Sequence, residues 1–268
     1  MTNDVEIFER QGFLILRNIV PYLNIAMVRS TFLTLCNKLA PELSLGENEQ
    51  LNDTVFTDKF CALKRRRPDI TGAIYDTMQS SLSLIQLVLH PSIVEKVAEL
   101  LKTSKDDLSN FFRCLRVDVP GNNPNALGWH QDFMATEKAA LDASDGVTVW
   151  IPLHRVDERG GTLELCVGSH HDRVRDVSVT GGDTQNVSEY INIADRYIEG
   201  FQKHCIEAEG GDIVLMSMNT IHRTVQSQIP LMRFTAIGRF FRLSSPEFIY
   251  GAPKYTVSRL TSIKEESA

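Results

Sequence analysis

The chain has 268 residues, of which 43% are hydrophobic and 23% charged, a composition typical of a folded globular protein with a sizeable core. Its formal net charge of −6 argues against nonspecific nucleic-acid binding, because such binding depends mainly on neutralising phosphates. The sequence therefore predicts no nucleic-acid partner.

The cysteines and the amino terminus bear on the compartment. The 5 cysteines form no CxxC pair, which argues against a zinc ribbon and is typical of reduced thiols in a cytosolic protein. The first residues, MTNDVEIFERQGF, are acidic and lack the basic and apolar regions of a signal peptide. No stretch has the roughly 20 apolar residues of a spanning helix. We therefore expect a cytoplasmic protein with no membrane partner.

Capping signals and apolar residues at helical spacing predict a mostly helical part over residues 1–110. The first helix should begin with a capping box formed by Asn3 and Glu6 and end at Gly12. The other elements expected in this part are a buried strand at residues 13–16, a helix over 22–40 and a helix that begins at Pro91.

From about residue 111 the pattern changes to short β-type runs separated by glycine, proline and asparagine. The runs are Cys114 to Val119, Val147 to Leu153, Leu163 to Val167, Ile213 to Met216 and Phe234 to Phe241. Such strands are typical of a β-sandwich or barrel, of which the jelly roll is one form. Residues 171–205 lack clear periodicity and are predicted to be a lid-like insertion. We predict a single domain over residues 1–268, mainly β with packed helices, whose β core spans 111–250.

Two histidines and one carboxylate form the candidate chemical centre. Side chains two residues apart in an extended segment point to the same side, so His130 and Asp132 can converge on one metal ion while Gln131 turns away. His222 is the best third ligand among the other histidines. This is the facial triad of mononuclear non-haem Fe(II) oxygenases, which leaves three coordination positions open. The same ligands can hold zinc, so a zinc hydrolase is an alternative.

The residues after His222 are predicted to form a β-hairpin. If it is symmetric about the Ser227–Gln228 peptide, Arg233 lies directly opposite His222, and Thr224 lies on the same face. A one-residue bulge would break this parity. The guanidinium and the hydroxyl would line the metal pocket, where an arginine is suited to a carboxylate-bearing cosubstrate.

Five segments carry motifs that are specific as an ordered group. They are FERQGFLILRNIV, GWHQDF, VWIPLHRVDERGGTLELCVGSHH, GDIVLMSMNTIHRTV and LMRFTAIGRFF. Over roughly residues 5–250 the chain resembles the phytanoyl-CoA dioxygenase family of Fe(II)- and 2-oxoglutarate-dependent oxygenases. The resemblance implies a double-stranded β-helix (jelly-roll) core with helices packed outside. It makes His130, Asp132 and His222 the iron ligands.

The resemblance also implies contacts to the cosubstrate. Arg233 would pair with the distal carboxylate of 2-oxoglutarate, and Thr224 looks like the family's hydroxyl contact to the same group. Trp150 looks like a wall of the cosubstrate pocket. Arg113 and Arg116 are both possible contacts on the strand before the HxD motif.

The implied reaction consumes dioxygen and 2-oxoglutarate, releases succinate and carbon dioxide, and hydroxylates a small molecule. A polar metabolite or natural-product intermediate is the expected substrate. The alternative is an acyl-CoA or other anionic conjugate, docked by the basic run Lys64–Arg67, although such runs are usually solvated faces. A non-catalytic jelly-roll binding protein is a further alternative, and it predicts a degraded triad.

Overall fold

The structure is a computed structural model that describes residues 3–43, 45, 51, 53–120, 127–132, 146–172, 177–178 and 192–245. Its α-helices are α1 (Asp4–Gln11), α2 (Tyr22–Leu39), α3 (Thr54–Arg66), α4 (Pro68–Gln79), α5 (Leu82–Val88) and α6 (Pro91–Leu100). Its strands are β1 (Phe13–Leu16), β2 (Leu108–Asp118), β3 (Gly146–Pro152), β4 (Thr162–Cys166), β5 (Val177–Ser178), β6 (Asn192–Ile193), β7 (Lys203–Cys205), β8 (Ile213–Ser217), β9 (His222–Val225) and β10 (Arg233–Arg242). Among these residues, no helix is both long and apolar enough to span a membrane.

Two antiparallel sheets face each other, and the helices cover the outer side of the larger one. The larger sheet has the order β1-β8-β3-β10-β2, and the smaller has the order β7-β4-β9. Along β3, Val147, Val149 and Ile151 point to the helices, whereas Trp150 packs with Leu163 of the smaller sheet. This alternation follows from the two-residue period of a strand. The predicted β core with packed helices is confirmed, but the described part of the chain mixes helix with antiparallel sheet and is not mainly β.

The start of the chain folds as its capping signals predict. The Asn3 side chain accepts a hydrogen bond from the backbone of Val5, and the Glu6 carboxylate accepts one from the backbone of Asn3. Gly12 ends α1 with a φ of 82°, a conformation that favours glycine. A Cβ there would also lie 2.5 Å from His170, so the close contact requires glycine as well. The predicted helix at Pro91 is α6, whereas α3, α4 and α5 were not predicted.

An aromatic cluster attaches the helices to the larger sheet. The Phe234 ring of β10 lies 5.3 Å from Phe32 of α2 and 6.4 Å from Phe56 of α3. All three side chains are almost completely buried, and truncating such a phenylalanine to alanine typically costs about 3–5 kcal/mol. Because Phe234 is held on the helix side, its neighbours Arg233 and Thr235 face the smaller sheet.

The prediction that the strands of His222 and Arg233 pair as a β-hairpin is wrong. β9 pairs with β4 of the smaller sheet, whereas β10 pairs with β2 and β3 of the larger sheet. The connecting residues 226–232 cross between the sheets, and their backbone is bonded elsewhere: Gln228 N–H donates to the Arg159 carbonyl. The parity argument assumed one sheet and therefore does not apply to this pair.

The predicted insertion over residues 171–205 ends in regular structure. Residues 203–205 form β7, which pairs with β4 and completes the smaller sheet. Three residues show too little alternation to identify a strand from the sequence. Residues 173–176 and 179–191 of the insertion lie outside the described part of the chain.

His154 joins the end of β3 to β10. Its Nε2 accepts the backbone N–H of Phe234 at 3.0 Å, and its Nδ1 lies 2.8 Å from the carbonyl oxygen of Arg155. Burial lowers the pKa of His154 from 6.5 to about 4. Protonation would also convert the accepting nitrogen into a donor that faces another donor. The neutral imidazole is therefore part of the folded state.

This environment predicts an acid-sensitive contribution to stability. Since the folded-state pKa lies below the ordinary value, the unfolded chain binds the proton more tightly. The free energy of unfolding should be unaffected above pH 6.5 and fall between pH 6.5 and 4, by up to about 1.4 kcal/mol per pH unit. Urea unfolding at several pH values should show a smaller decrease for His154→Gln, which cannot titrate. Equal slopes for the two proteins would contradict this prediction.

Candidate active site

His130, Asp132 and His222 come together between the two sheets. One ligand atom from each lies within 4.8 Å of the others, and all three side chains are buried. The backbones of His130 and His222 form two hydrogen bonds of 2.9 Å, each residue donating to the other's carbonyl oxygen. This bridge extends the smaller sheet beyond β9 and fixes the separation of the two histidines. The structure thus brings together the three residues that the sequence singles out.

Backbone carbonyls orient both imidazoles. Nδ1 of His130 lies 2.8 Å from the Gly128 oxygen, and Nδ1 of His222 lies 2.9 Å from the Thr220 oxygen. A carbonyl oxygen only accepts, so each Nδ1 carries the proton and each Nε2 keeps a free lone pair. Burial lowers the pKa of His130 to about 3 and also lowers the pKa of His222. Neutral imidazoles with free Nε2 atoms are the form that binds a metal.

The Asp132 carboxylate is held at both oxygens. Oδ1 accepts a hydrogen bond from Arg239 Nη2, and Oδ2 accepts one from Thr148 Oγ1, each at 2.6 Å. Burial by itself would raise the pKa of Asp132, but Arg239 and the two histidines lower it on balance. The carboxylate is therefore ionised, and the complete donor set, two neutral imidazoles and one carboxylate, fits a divalent iron ion.

The inner face of the larger sheet carries the remaining polar groups of the site. On β10 the inward residues alternate with the helix-facing ones, as the register with β2 and β3 requires. Reading along β10, Arg233 lies opposite Asp118, Thr235 opposite Arg116, Ile237 opposite Cys114 and Trp150, and Arg239 opposite Phe112 and Thr148.

A second cluster of charged side chains lies beside the triad. Arg233 donates to Asp118 Oδ2 through Nε at 2.9 Å and also through Nη2, and Arg116 donates to Asp118 Oδ1 at 3.0 Å. Nη2 of Arg116 lies 3.3 Å from the hydroxyl of Thr224. Arg233 Nη1 is buried and has no hydrogen-bond partner among the described residues. Two guanidiniums therefore share one carboxylate and retain the capacity to bind an anion.

The two clusters line adjoining cavities. Thr224 lines both, Trp150 lines the cavity of the triad, and Arg233 lines the other. The site thus combines a candidate metal centre with an arginine pocket in the adjoining cavity.

Residues 8–229 match the family model described as phytanoyl-CoA dioxygenase (PhyH). The chain belongs to the PhyH family. This family and its structural relatives are 2-oxoglutarate-dependent non-haem iron enzymes, so the predicted enzyme class and cofactors are confirmed. A search of curated proteins finds no match to the PhyH chain.

Three solved structures of non-haem enzymes illustrate the likeness in fold. The nickel complex of the monooxygenase ThoJ is 18% identical, with a TM-score of 0.56, and the match covers 90% of this chain and 77% of that one. The epimerase SnoN, in complex with Fe3+, α-ketoglutarate and nogalamycin RO, is 15% identical, with a TM-score of 0.58 and coverages of 89% and 82%. The carbocyclase SnoK from nogalamycin biosynthesis is 18% identical, with a TM-score of 0.57 and coverages of 89% and 83%. At these identities the likeness concerns the fold.

The structure distinguishes between Arg113 and Arg116, the two arginines that the sequence offers as possible contacts to the cosubstrate. Arg116 faces the inner cavity, where it contacts Thr224. Arg113 is three residues from Arg116 on β2, so its side chain points to the opposite face of the sheet. Leu115 and Val117, on that same face, pack against the helices. Arg116 is therefore the arginine of β2 that can reach a ligand between the sheets.

Three polar residues of the site were not found from the sequence. Each lies an even number of residues from a residue that the sequence did identify on the same strand. Asp118 is two residues from Arg116, Thr148 is two from Trp150, and Arg239 is six from Arg233. Strand parity could have indicated all three. The contact between Arg239 and Asp132, however, joins distant parts of the chain, which no local pattern reports.

Histidines outside the triad have other surroundings. His170 packs against Gly12, and its Nε2 lies 3.0 Å from the carbonyl oxygen of Glu9. His90 and His204 lie outside the triad cavity, and so does His154, which holds β10. The structure brings none of them to the metal centre.

Proposed function

We propose that this PhyH-family protein is an Fe(II)- and 2-oxoglutarate-dependent dioxygenase that hydroxylates a small molecule within a double-stranded β-helix core. His130, Asp132 and His222 would hold the iron. The observation that carries the proposal is the convergence of one ring nitrogen from each histidine and one carboxylate oxygen within 4.8 Å of one another. When bound, iron supplies the activation of dioxygen, coupled to decarboxylation of 2-oxoglutarate to succinate.

The arginine pocket supports binding of 2-oxoglutarate beside the metal. Arg233 offers its unpartnered Nη1 to the distal carboxylate, Thr224 lines the same cavity, and Arg116 lines the adjoining cavity of the triad. Asp118 holds both guanidiniums in place before the ligand arrives, which lowers the entropic cost of binding. Trp150, almost fully buried, forms a wall that excludes water from the chelated end.

A polar natural-product intermediate is the substrate class that the relatives favour. SnoN and SnoK act in nogalamycin biosynthesis, and SnoN has been seen with nogalamycin RO. SnoN is an epimerase and SnoK a carbocyclase, so proteins with this fold catalyse reactions other than hydroxylation. For this chain Asp132 favours hydroxylation over halogenation, because a carboxylate ligand fills the position that a metal-bound halide would need.

The test is an anaerobic titration of the purified protein with Fe(II) and 2-oxoglutarate. A visible metal-to-ligand charge-transfer band that decays on admitting air, with formation of succinate, would support the proposal. Tight binding of zinc without such a band would instead favour the zinc hydrolase. Failure to bind either metal would favour a non-catalytic binding protein.

The basic run Lys64–Arg67 gives little support to the acyl-CoA alternative. It forms the carboxyl end of α3, where Arg65, Arg66 and Arg67 are exposed, and Arg67 pairs with the exposed Asp69. Basic residues at a helix carboxyl end are favourable for the helix itself.

Neutralising this run should therefore leave catalysis unchanged. For the variant with glutamine at all four positions we expect a KM within about twofold of the wild type, because exposed charges contribute little to binding at a distance when salt screens them. Steady-state kinetics at physiological ionic strength checks this. A KM that rises more than tenfold, and rises less at high salt, would favour an anionic conjugate as substrate.

A further inference from the structure

Arg239 lines the cavity of the triad but not the adjoining cavity that Arg233 lines. Arg239 is the sixth residue after Arg233 on β10, which corresponds to roughly 20 Å along an extended strand. Arg239 donates a hydrogen bond to Asp132. On the neighbouring strand β2, Arg239 lies opposite Phe112, whereas Arg233 lies opposite Asp118. If 2-oxoglutarate extends from the metal towards Arg233, Arg239 borders the space left for the primary substrate.

The Arg239 guanidinium is held in place but not saturated. Nη2 donates to Asp132, and the group lies 4.7 Å over the Phe112 ring, an arrangement that fixes its plane. Nε is buried and has no hydrogen-bond partner in the described part of the chain. A buried donor without an acceptor is costly, so this atom indicates an oxygen that a ligand supplies.

Charge balance indicates the sign of that ligand. The inner faces of the described strands and the metal site carry three guanidiniums, Arg116, Arg233 and Arg239, against two carboxylates, Asp118 and Asp132. Iron(II) and doubly ionised 2-oxoglutarate cancel each other, and imidazole ligands are neutral. Counted over the described residues, one positive charge therefore remains in a largely buried site, where an uncompensated charge is strongly unfavourable.

We propose that Arg239 binds a carboxylate of the primary substrate, which is therefore a small organic acid. Nη2 would keep its bond to Asp132 while Nε donates to the substrate oxygen. A singly charged carboxylate matches the remaining charge, whereas a phosphate, at about −1.5 to −2, exceeds it. The inference rests on the proposed function and specifies its substrate.

The experiment uses the protein loaded with Fe(II) and 2-oxoglutarate under argon. Matched pairs of acids and their primary amides, such as phenylacetate, hexanoate and N-acetyl-leucine, are tested for shifts of the charge-transfer band. We expect acids to shift the band and amides of the same shape not to. Equal responses to acids and amides, or no response to any acid, would overturn the inference.

Two variants separate substrate binding from support of Asp132. Arg239→Lys keeps a cation beside Asp132 but removes the Nε donor, so acids should bind roughly tenfold to a hundredfold more weakly. Thr148→Val removes the other hydrogen bond to Asp132 and leaves Arg239 intact. It should weaken metal binding but keep the preference for acids. An Arg239→Lys protein that binds acids as the wild type does would refute the role of Arg239.

The two proposals fail in different ways. If the band does not form before any acid is added, the proposed function is wrong and this inference is wrong with it. If the band forms normally and acids show no preference, this inference alone is wrong.

Discussion

Asp132→Ala should bind iron more than about 100-fold more weakly than the wild type and have no detectable turnover. Loss of a residue that merely supports a metal ligand typically costs 10–100-fold in affinity, and loss of the ligand itself should exceed that. The variant also leaves Arg239 without its buried carboxylate partner. Metal affinity can be measured with Co(II), whose visible absorption reports the ligand set without any need for a substrate.

The matched controls for this variant separate ligation from folding. Asp132→Asn keeps the shape and should lose most of the metal affinity, because an amide is a weak ligand. Asp69→Ala removes an exposed carboxylate that pairs with Arg67 on the surface, and it should behave as the wild type. Circular dichroism establishes that each variant is folded. Full turnover by a folded Asp132→Ala protein would eliminate Asp132 as a ligand.

His130 and Asp132 could be predicted as a pair because their information is local, whereas His222 lies far along the chain and was supported by the family motif. His130 and Asp132 are two residues apart, so one extended segment suffices to turn both the same way. The capping box of α1 and the proline at the start of α6 are local in the same sense. Local signals of this kind do not depend on how distant parts of the chain pair or pack.

The pairing of His222 with Arg233 failed because it depends on which sheet each strand joins. Both strands show the expected composition, and eleven residues would allow a hairpin. The choice of sheet is made by distant partners: β4 binds β9, and the Phe234 ring in the helical layer holds β10. The family resemblance still pointed to Arg233, because a family motif records the folded arrangement and not the local pairing.

The other omissions have the same origin. The ion pair between Arg233 and Asp118 joins positions 115 residues apart, and that between Arg239 and Asp132 joins positions 107 apart. Strand parity predicts that the two arginines face the space between the sheets. Which carboxylate each one pairs with depends on the strand order of the larger sheet, which the sequence does not show. The buried charges of this site are therefore a property of the topology.

Arg233→Met should weaken the binding of 2-oxoglutarate to the metal-loaded protein by about 2–5 kcal/mol, as loss of one partner of a buried charge pair typically does. Methionine keeps much of the buried volume, and Arg116 continues to neutralise Asp118. Anaerobic calorimetric titration measures the affinity. As a control, Arg113→Met, on the helix side of β2, should leave the affinity for 2-oxoglutarate unchanged.

A second substitution decides whether Arg233 binds the cosubstrate or only neutralises Asp118. If it served only the ion pair, Arg233→Met combined with Asp118→Asn would remove both charges together and restore the affinity for 2-oxoglutarate. If its Nη1 receives the distal carboxylate, the double variant remains as weak as Arg233→Met alone. We expect the second result, because Nη1 is buried without a partner in the described residues while Asp118 occupies Nε and Nη2. Restored affinity would transfer the role to Arg116, the other guanidinium that Asp118 holds in this pocket.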